Sequence, residues 1–155
     1  TAFEVVTVEV DQLNSLMDQG INLNMVEAKF TAQLINALKP DTVILDCPSV
    51  NISDYVARVR RKLDNPDTEI RAEFKADLHF PVVGAASILA KVTRDRAIAH
   101  IQQGITTKFG SGYMTDPLTE AFLEQCFDQY PIFRTHWEPW KKLKAKKVQQ
   151  TLGEL

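Results

Sequence analysis

Between residues 3 and 10 the chain alternates Phe3, Val5 and Thr7 with Glu4, Val6 and Val8, and its β-branched content predicts a strand. After a turn at Gly20, apolar residues at 23, 26, 30, 34, 37 and 38 recur at helical spacing. Asn22 supplies a cap for this helix, and Pro40 forces it to end earlier. Residues 42–46, Thr-Val-Ile-Leu-Asp, are a short apolar run closing on a carboxylate, the pattern of a buried parallel strand that delivers an acid to its C-terminal edge. Asn51 or Ser53 then opens a helix with Tyr55, Val56, Val59 and Leu63 inward and Arg58, Arg60, Arg61 and Lys62 mainly outward. The Asn-Pro-Asp turn at 65–67 leads into a third strand over 69–74.

Pro81 begins a long helix reaching to about Gln103. Gly84, Ala85, Ala86, Ser87 and Ala90 make it narrow enough to pack closely on a sheet. A glycine-rich loop over 108–117 ends in Asp116 and Pro117, a cap and a first-turn proline for a helix to about Gln129. Leu118, Ala121, Phe122, Gln125 and Cys126 mark its buried side. Strands alternating with helices imply parallel crossovers, hence an α/β layer.

Composition narrows the class. With 155 residues, 45% hydrophobic and 25% charged, the chain fits one globular domain with its own core. A net charge of −2 excludes a uniformly basic nucleic-acid coat, so any such binding needs a local patch. Lys141, Lys142, Lys144, Lys146 and Lys147 supply one near the C-terminal end, or simply a solvated helix face. Cys47 and Cys126 lack metal-ligand spacing and suit reduced thiols, which points to the cytoplasm. No run approaches the roughly 18 apolar residues that would cross a bilayer, so no membrane partner is expected. Thr1 stands almost inside a strand-like run, from which a missing front segment is expected.

Two carboxylates carry the candidate chemistry. Asp46 ends a strand and Asp77 lies in the loop beyond the next one; on neighbouring strands they would converge on one sheet edge. Such a pair of hard oxygen ligands suits Mg²⁺ or Mn²⁺. Spacing alone leaves open that each is an ordinary turn or cap residue. Lys75, Lys91, Arg94 and Arg96 are reasonable phosphate contacts, although cations on a helix are usually just a solvated face. Glu27, His79 and His100 read as surface or structural groups.

The run Lys75-Ala-Asp-Leu-His-Phe-Pro-Val-Val-Gly-Ala-Ala-Ser-Ile-Leu-Ala-Lys-Val-Thr-Arg-Asp-Arg96 closely resembles the signature of the type 2 ribonucleases H (ribonuclease HII), especially the archaeal branch, with Gly84 where that family usually has serine. The resemblance implies a ribonuclease H-like layered sheet with flanking helices, incomplete at its N-terminus. It implies Mg²⁺- or Mn²⁺-dependent endonucleolytic hydrolysis of RNA in RNA-DNA hybrids, or of ribonucleotides embedded in duplex DNA. Asp46 and Asp77 align with the third and fourth family carboxylates and are expected to be catalytic metal ligands. The other two belong to an Asp-Glu-Ala-Gly-Arg-Gly motif, and that motif does not occur in this sequence. The chain alone is therefore expected to cleave poorly. The alternative is a relative that binds hybrids without cutting, or one half of a two-chain enzyme.

Tyr113, in Gly-Ser-Gly-Tyr-Met-Thr-Asp-Pro, matches a family tyrosine that packs against a sugar beside the RNA-DNA junction. Lys75, Lys91 and Arg94 complete the implied substrate contacts. Residues 1–135 correspond to the later part of the family domain, and 136–155 to a C-terminal basic helix and tail. In that tail Gln149, Leu152 and Leu155 resemble a sliding-clamp binding peptide that lacks its aromatic pair.

Overall fold

A computed structural model describes residues 3–153. In chain order the elements are α1 (Val10–Asp18), α2 (Leu23–Leu38), β1 (Thr42–Asp46), α3 (Ile52–Arg60), β2 (Glu69–Glu73), α4 (Ala76–His79), α5 (Pro81–Gln103), α6 (Pro117–Cys126) and α7 (Glu138–Gly153). The described residues fall into two compact units: residues 3–7 with 19–92, and residues 8–18 with 93–153. Among the described residues no helix is long and apolar enough to cross a membrane.

The first unit is built on β1 and β2, which pair in parallel from Thr42 opposite Glu69 to Asp46 opposite Glu73. Main-chain bonds from Glu69 to Asp41 and from Cys47 to Glu73, both 2.9 Å, extend the ladder at its two ends. The parallel crossover predicted from the strand-helix order is thus present, carried by α3. The core joins Ala28, Ala32 and Ile35 of α2 with Cys47 and with Tyr55 and Val59 of α3. Val43, Leu45, Ile52, Leu63 and Ile70 pack around it. Tyr55 ends against Thr31, oxygen to oxygen 3.0 Å, and burial raises its phenol pKa.

Both helices begin where an asparagine can satisfy an orphan amide. Asn22 Oδ1 accepts the Met25 N–H at 3.0 Å, and Asn51 Oδ1 accepts that of Asp54 at 3.1 Å. Ser53 donates its hydroxyl to Asn51 and is not the cap. The helix ahead of Pro40 stops on Lys39 in the left-handed region, φ 48°.

The second unit centres on Ile105, Phe109, Phe122 and Cys126, ringed by Ile98, Ile101, Tyr130, Ile132 and Phe133. The Phe122 ring lies 5.2 Å from Phe109, 5.7 Å from Tyr130 and 5.8 Å from Phe133, within the range of favourable aromatic pairing. α1 is tied in by one amide: Asn14 donates to the Phe133 carbonyl and accepts the Thr135 N–H, each at 3.0 Å. Asp18 meets His136 at 2.7 Å. The Trp140 indole N–H reaches the Phe127 carbonyl at 2.8 Å and fixes the start of α7. Both cysteines are free and buried.

Four expectations are corrected. Residues 3–9 form no strand: no ladder partner exists for them among the described residues, and Phe3 stays 68% exposed. Alternation supplies only propensity, and a strand exists by pairing. The stripe from Gly84 to Ala90 is not packed on the sheet; Val83 alone is buried on α5. Among the described residues the sheet has two strands and offers little face to such a helix. α6 ends at Cys126, and its buried face is Thr119, Phe122, Leu123 and Cys126, while Leu118, Ala121 and Gln125 point to solvent. Finally, Asp77 lies in the single helical turn α4 and not in an open loop.

Candidate functional site

In the first unit the site is assembled at the C-terminal edge of the parallel ladder. Asp46 is the last residue of β1 and is exposed, with Glu73 of β2 directly opposite. Beyond β2 the chain must reverse at once, and Lys75 makes the turn in the left-handed region, φ 59°, ψ 40°. That region costs a non-glycine residue energy and is held only by surrounding structure. Here the holding groups are clear. Ala76 is fully buried, and its N–H donates to Asp46 Oδ1 at 3.1 Å.

Asp46 therefore anchors the turn that carries Asp77, the next residue along. The structure brings Asp46 to the Lys75-Ala76-Asp77 turn through this backbone bond. One carboxylate oxygen is used by Ala76, yet an ionised carboxylate has about four acceptor positions, which leaves Asp46 free to ligate. α5 passes close behind: a Cβ at Gly84 would stand 3.2 Å from the Asp77 carbonyl oxygen.

One neighbour, Glu73, was not singled out by sequence reasoning, although it stands directly opposite Asp46 in the ladder. His79, read from the sequence as a surface or structural group, lies on the surface with its Nδ1 3.2 Å from Glu73 Oε2. Asp46 and Asp77 have the donor chemistry of a magnesium or manganese site that keeps several waters. Among the described residues no group of three or more His, Cys, Asp and Glu side chains is gathered to hold a metal ion. Lys75 reaches over the Phe74 ring, 5.5 Å from its centroid, and Lys91 is exposed on α5.

The second unit holds a separate constellation in the loop between α5 and α6. Gly110 and Gly112 have φ of 70° and 75°, and between them Ser111 donates its N–H to Asp116 Oδ2 at 2.7 Å. Asp116 Oδ1 accepts the Leu118 N–H at 2.9 Å, so one carboxylate closes the loop and caps α6. The Ser111 and then the Leu118 amides hold its pKa below the ordinary carboxylate value. Gly112 N–H is accepted by Thr119 Oγ1 at 2.9 Å, and that hydroxyl donates to the Phe109 carbonyl at 2.8 Å.

The residue so presented is Tyr113, 49% exposed, with the Arg94 guanidinium carbon 3.8 Å from its ring centroid. Arg94 and Tyr113 were expected as independent contacts and prove to be one stacked pair. On α7, Lys141, Lys142, Lys144, Lys146 and Lys147 are all exposed. Lys144 lies 4.9 Å from the Trp140 ring, and Lys147 pairs with Asp128. Gln149 is exposed on the same helix, while the Leu152 side chain and Leu155 lie outside the described residues.

Comparison with known proteins sets these features in a family. The family model for Ribonuclease HII matches residues 2–140. Ribonuclease HII of Thermococcus kodakarensis is 41% identical over 133 residues, covering 82% of this chain and 57% of the relative. The chain thus spans little more than half of that protein. Among solved structures, a chain of the PCNA:RNase HII complex from Archaeoglobus fulgidus superposes with a TM-score of 0.78 at 30% identity, covering 87% of this chain and 66% of its own. Ribonuclease H2 from Pyrococcus horikoshii OT3 gives 0.75 at 31% identity, covering 91% and 67%. A signature run, a fold and a family match that extends over nearly the whole chain agree, and the protein belongs to the ribonuclease HII family.

Proposed function

We propose that the protein serves the hydrolysis of RNA strands in RNA-DNA hybrids, or of ribonucleotides embedded in duplex DNA, and that Asp46 and Asp77 are its metal-binding carboxylates. The observation that carries this reading is the bond from the Ala76 N–H to Asp46, which ties the Asp77 turn to the edge of the parallel ladder. Membership of the ribonuclease HII family supplies the reaction class. Asp46 and Asp77 would hold Mg²⁺ or Mn²⁺, which would supply activation of water and offset charge at the phosphodiester. Lys75 and Lys91 steady phosphates without reading sequence. Tyr113 packs against a sugar, where the 2′-hydroxyl separates RNA from DNA. Water adds to phosphorus and gives up a proton, the bond to the 3′-oxygen breaks and that oxygen takes up a proton, and the products carry 3′-hydroxyl and 5′-phosphate ends.

A second reading is favoured by the lack, among the described residues, of a three-donor cluster. In it the chain binds hybrids and cuts only when a separate chain supplies further carboxylates. One assay separates the two: purified chain, free of host nuclease, with a duplex containing one ribonucleotide and Mg²⁺ or Mn²⁺. Nicking at an ordinary enzyme rate that Asp77→Asn abolishes supports a self-sufficient enzyme. Retention of the duplex without nicking supports the second reading, and neither retention nor nicking contradicts both.

The tail residues Gln149, Leu152 and Leu155 are proposed to dock on a sliding clamp, a reading supported by the Archaeoglobus relative having been solved with PCNA. A Leu152→Ala chain is expected to lose clamp affinity; unchanged affinity would contradict the assignment.

A further inference from the structure

The stacked pair in the second unit has a geometry that ordinary phosphate binding does not require. The Arg94 guanidinium carbon sits 3.8 Å from the Tyr113 ring centroid, the separation of a planar cation lying on a ring face. Nη1 of the same group meets Asp95 Oδ1 at 3.0 Å, so the cation is held from its edge as well. Gly112 makes room for it. A Cβ there would stand 2.9 Å from Arg94 Nη2 and 3.2 Å from Ile98 Cδ1, and φ of 75° disfavours any side chain.

The backbone on both sides of Tyr113 is fixed independently. Gly112 is bonded to Thr119, a buried threonine, and the Asp116 N–H donates to the Tyr113 carbonyl at 2.9 Å. What these bonds leave free is rotation of the tyrosine side chain about its own torsions. Arg94 restrains that rotation by covering one face, and half of the residue stays open to solvent.

We propose that Arg94 is a positioning residue: it stacks on one face of Tyr113, in space that Gly112 leaves empty, and so presents the other face to a sugar. This rests on the reading of Tyr113 as the group that senses ribonucleotide-containing duplex. It assigns Arg94 a different task from that of a phosphate contact. A phosphate contact strengthens binding to every duplex alike, whereas a group that aims Tyr113 acts on the preference between duplexes.

The test is a double-mutant cycle on the full chain. Affinities are measured for one DNA duplex and for the same duplex carrying a single ribonucleotide, with Arg94→Gln, Arg94→Lys, Tyr113→Ala and the Arg94→Gln/Tyr113→Ala pair. Circular dichroism melting confirms that each variant is folded. The expected result is that Arg94→Gln lowers the preference roughly threefold, the scale of an exposed cation-ring contact. Arg94→Lys recovers part of it, and Arg94→Gln costs nothing further once Tyr113 is alanine. Gly112→Ala, acting on the same stack from the backbone side, lowers the preference in the same direction. If Tyr113→Ala lowers the preference but Arg94→Gln weakens both duplexes equally, or if the effects of the two substitutions add, the positioning role is overturned. If the unaltered chain shows no preference, or Tyr113→Ala leaves it intact, the reading of Tyr113 fails and the inference fails with it.

Discussion

Asp116 shows how much one side chain can organise. Its two oxygens accept the amides of Ser111 and Leu118, which closes the glycine loop and starts α6. Because the folded carboxylate has a depressed pKa, its contribution is fully present above the unfolded value and is lost as pH falls through the folded one. The thermal midpoint should therefore hold steady near neutrality and decline on the acid side of the ordinary carboxylate range. Asp116→Asn, which keeps a cap but not the charge, should flatten that decline in melts recorded across acid pH. Gly110 depends on the same group. A Cβ there would stand 2.5 Å from Asp116 Oδ2, at a φ of 70°, so Gly110→Ala should lower the melting temperature and loosen the loop, read as faster exchange of the Ser111 amide.

At the scale of elements, caps were legible and faces only in part: Tyr55 and Val59 of α3 are buried as their spacing indicated. Asn22 and Pro40 bracket α2 as the sequence indicated, and Asn22→Ala should cost about 1 kcal/mol in a urea titration, the usual loss for a cap of this kind. The face that α2 buries is another matter. Spacing pointed to 23, 26, 30, 34, 37 and 38, yet the core takes Val26, Ala28, Ala32 and Ile35 and leaves Leu38 45% exposed. Small residues allow α2 and α3 to approach, and that pairing cannot be read from α2 alone. α1 went unread although Val10, Leu13 and Met17 stand at helical spacing, because the valine-rich run before it suggested a strand. Of the candidate site, Asp46 was legible as a polar full stop on an apolar strand. The backbone bond from Ala76 and the Arg94-Tyr113 stack were not, since both join residues whose meeting depends on turns set by tertiary contacts.

For the molecule as a whole, each unit has its own core. Leu123, 1% exposed, is the deepest large side chain of the second, and Leu123→Ala should cost about 3 kcal/mol by denaturant titration, as for other buried leucines. In a chain of net charge −2, any nucleic-acid affinity would have to come from local patches, and α7 carries five exposed lysines. Replacing Lys141, Lys142 and Lys146 by glutamine should reduce the slope of log affinity against log salt by about one for each phosphate that the lysines had neutralised, with little change in the preference between duplexes. Asp46 and Asp77, proposed above as the metal ligands, are expected to make the hold on an RNA-DNA hybrid respond to a divalent ion as well. The most direct test measures binding of the purified chain to an RNA-DNA hybrid and to the matching DNA duplex, with Mn²⁺ and with chelator, beside an Asp46→Asn/Asp77→Asn variant. The account predicts a hybrid preference that Mn²⁺ strengthens in the unaltered chain and does not strengthen in the variant. Equal binding of the two duplexes, or a Mn²⁺ effect that survives replacement of both aspartates, would contradict it.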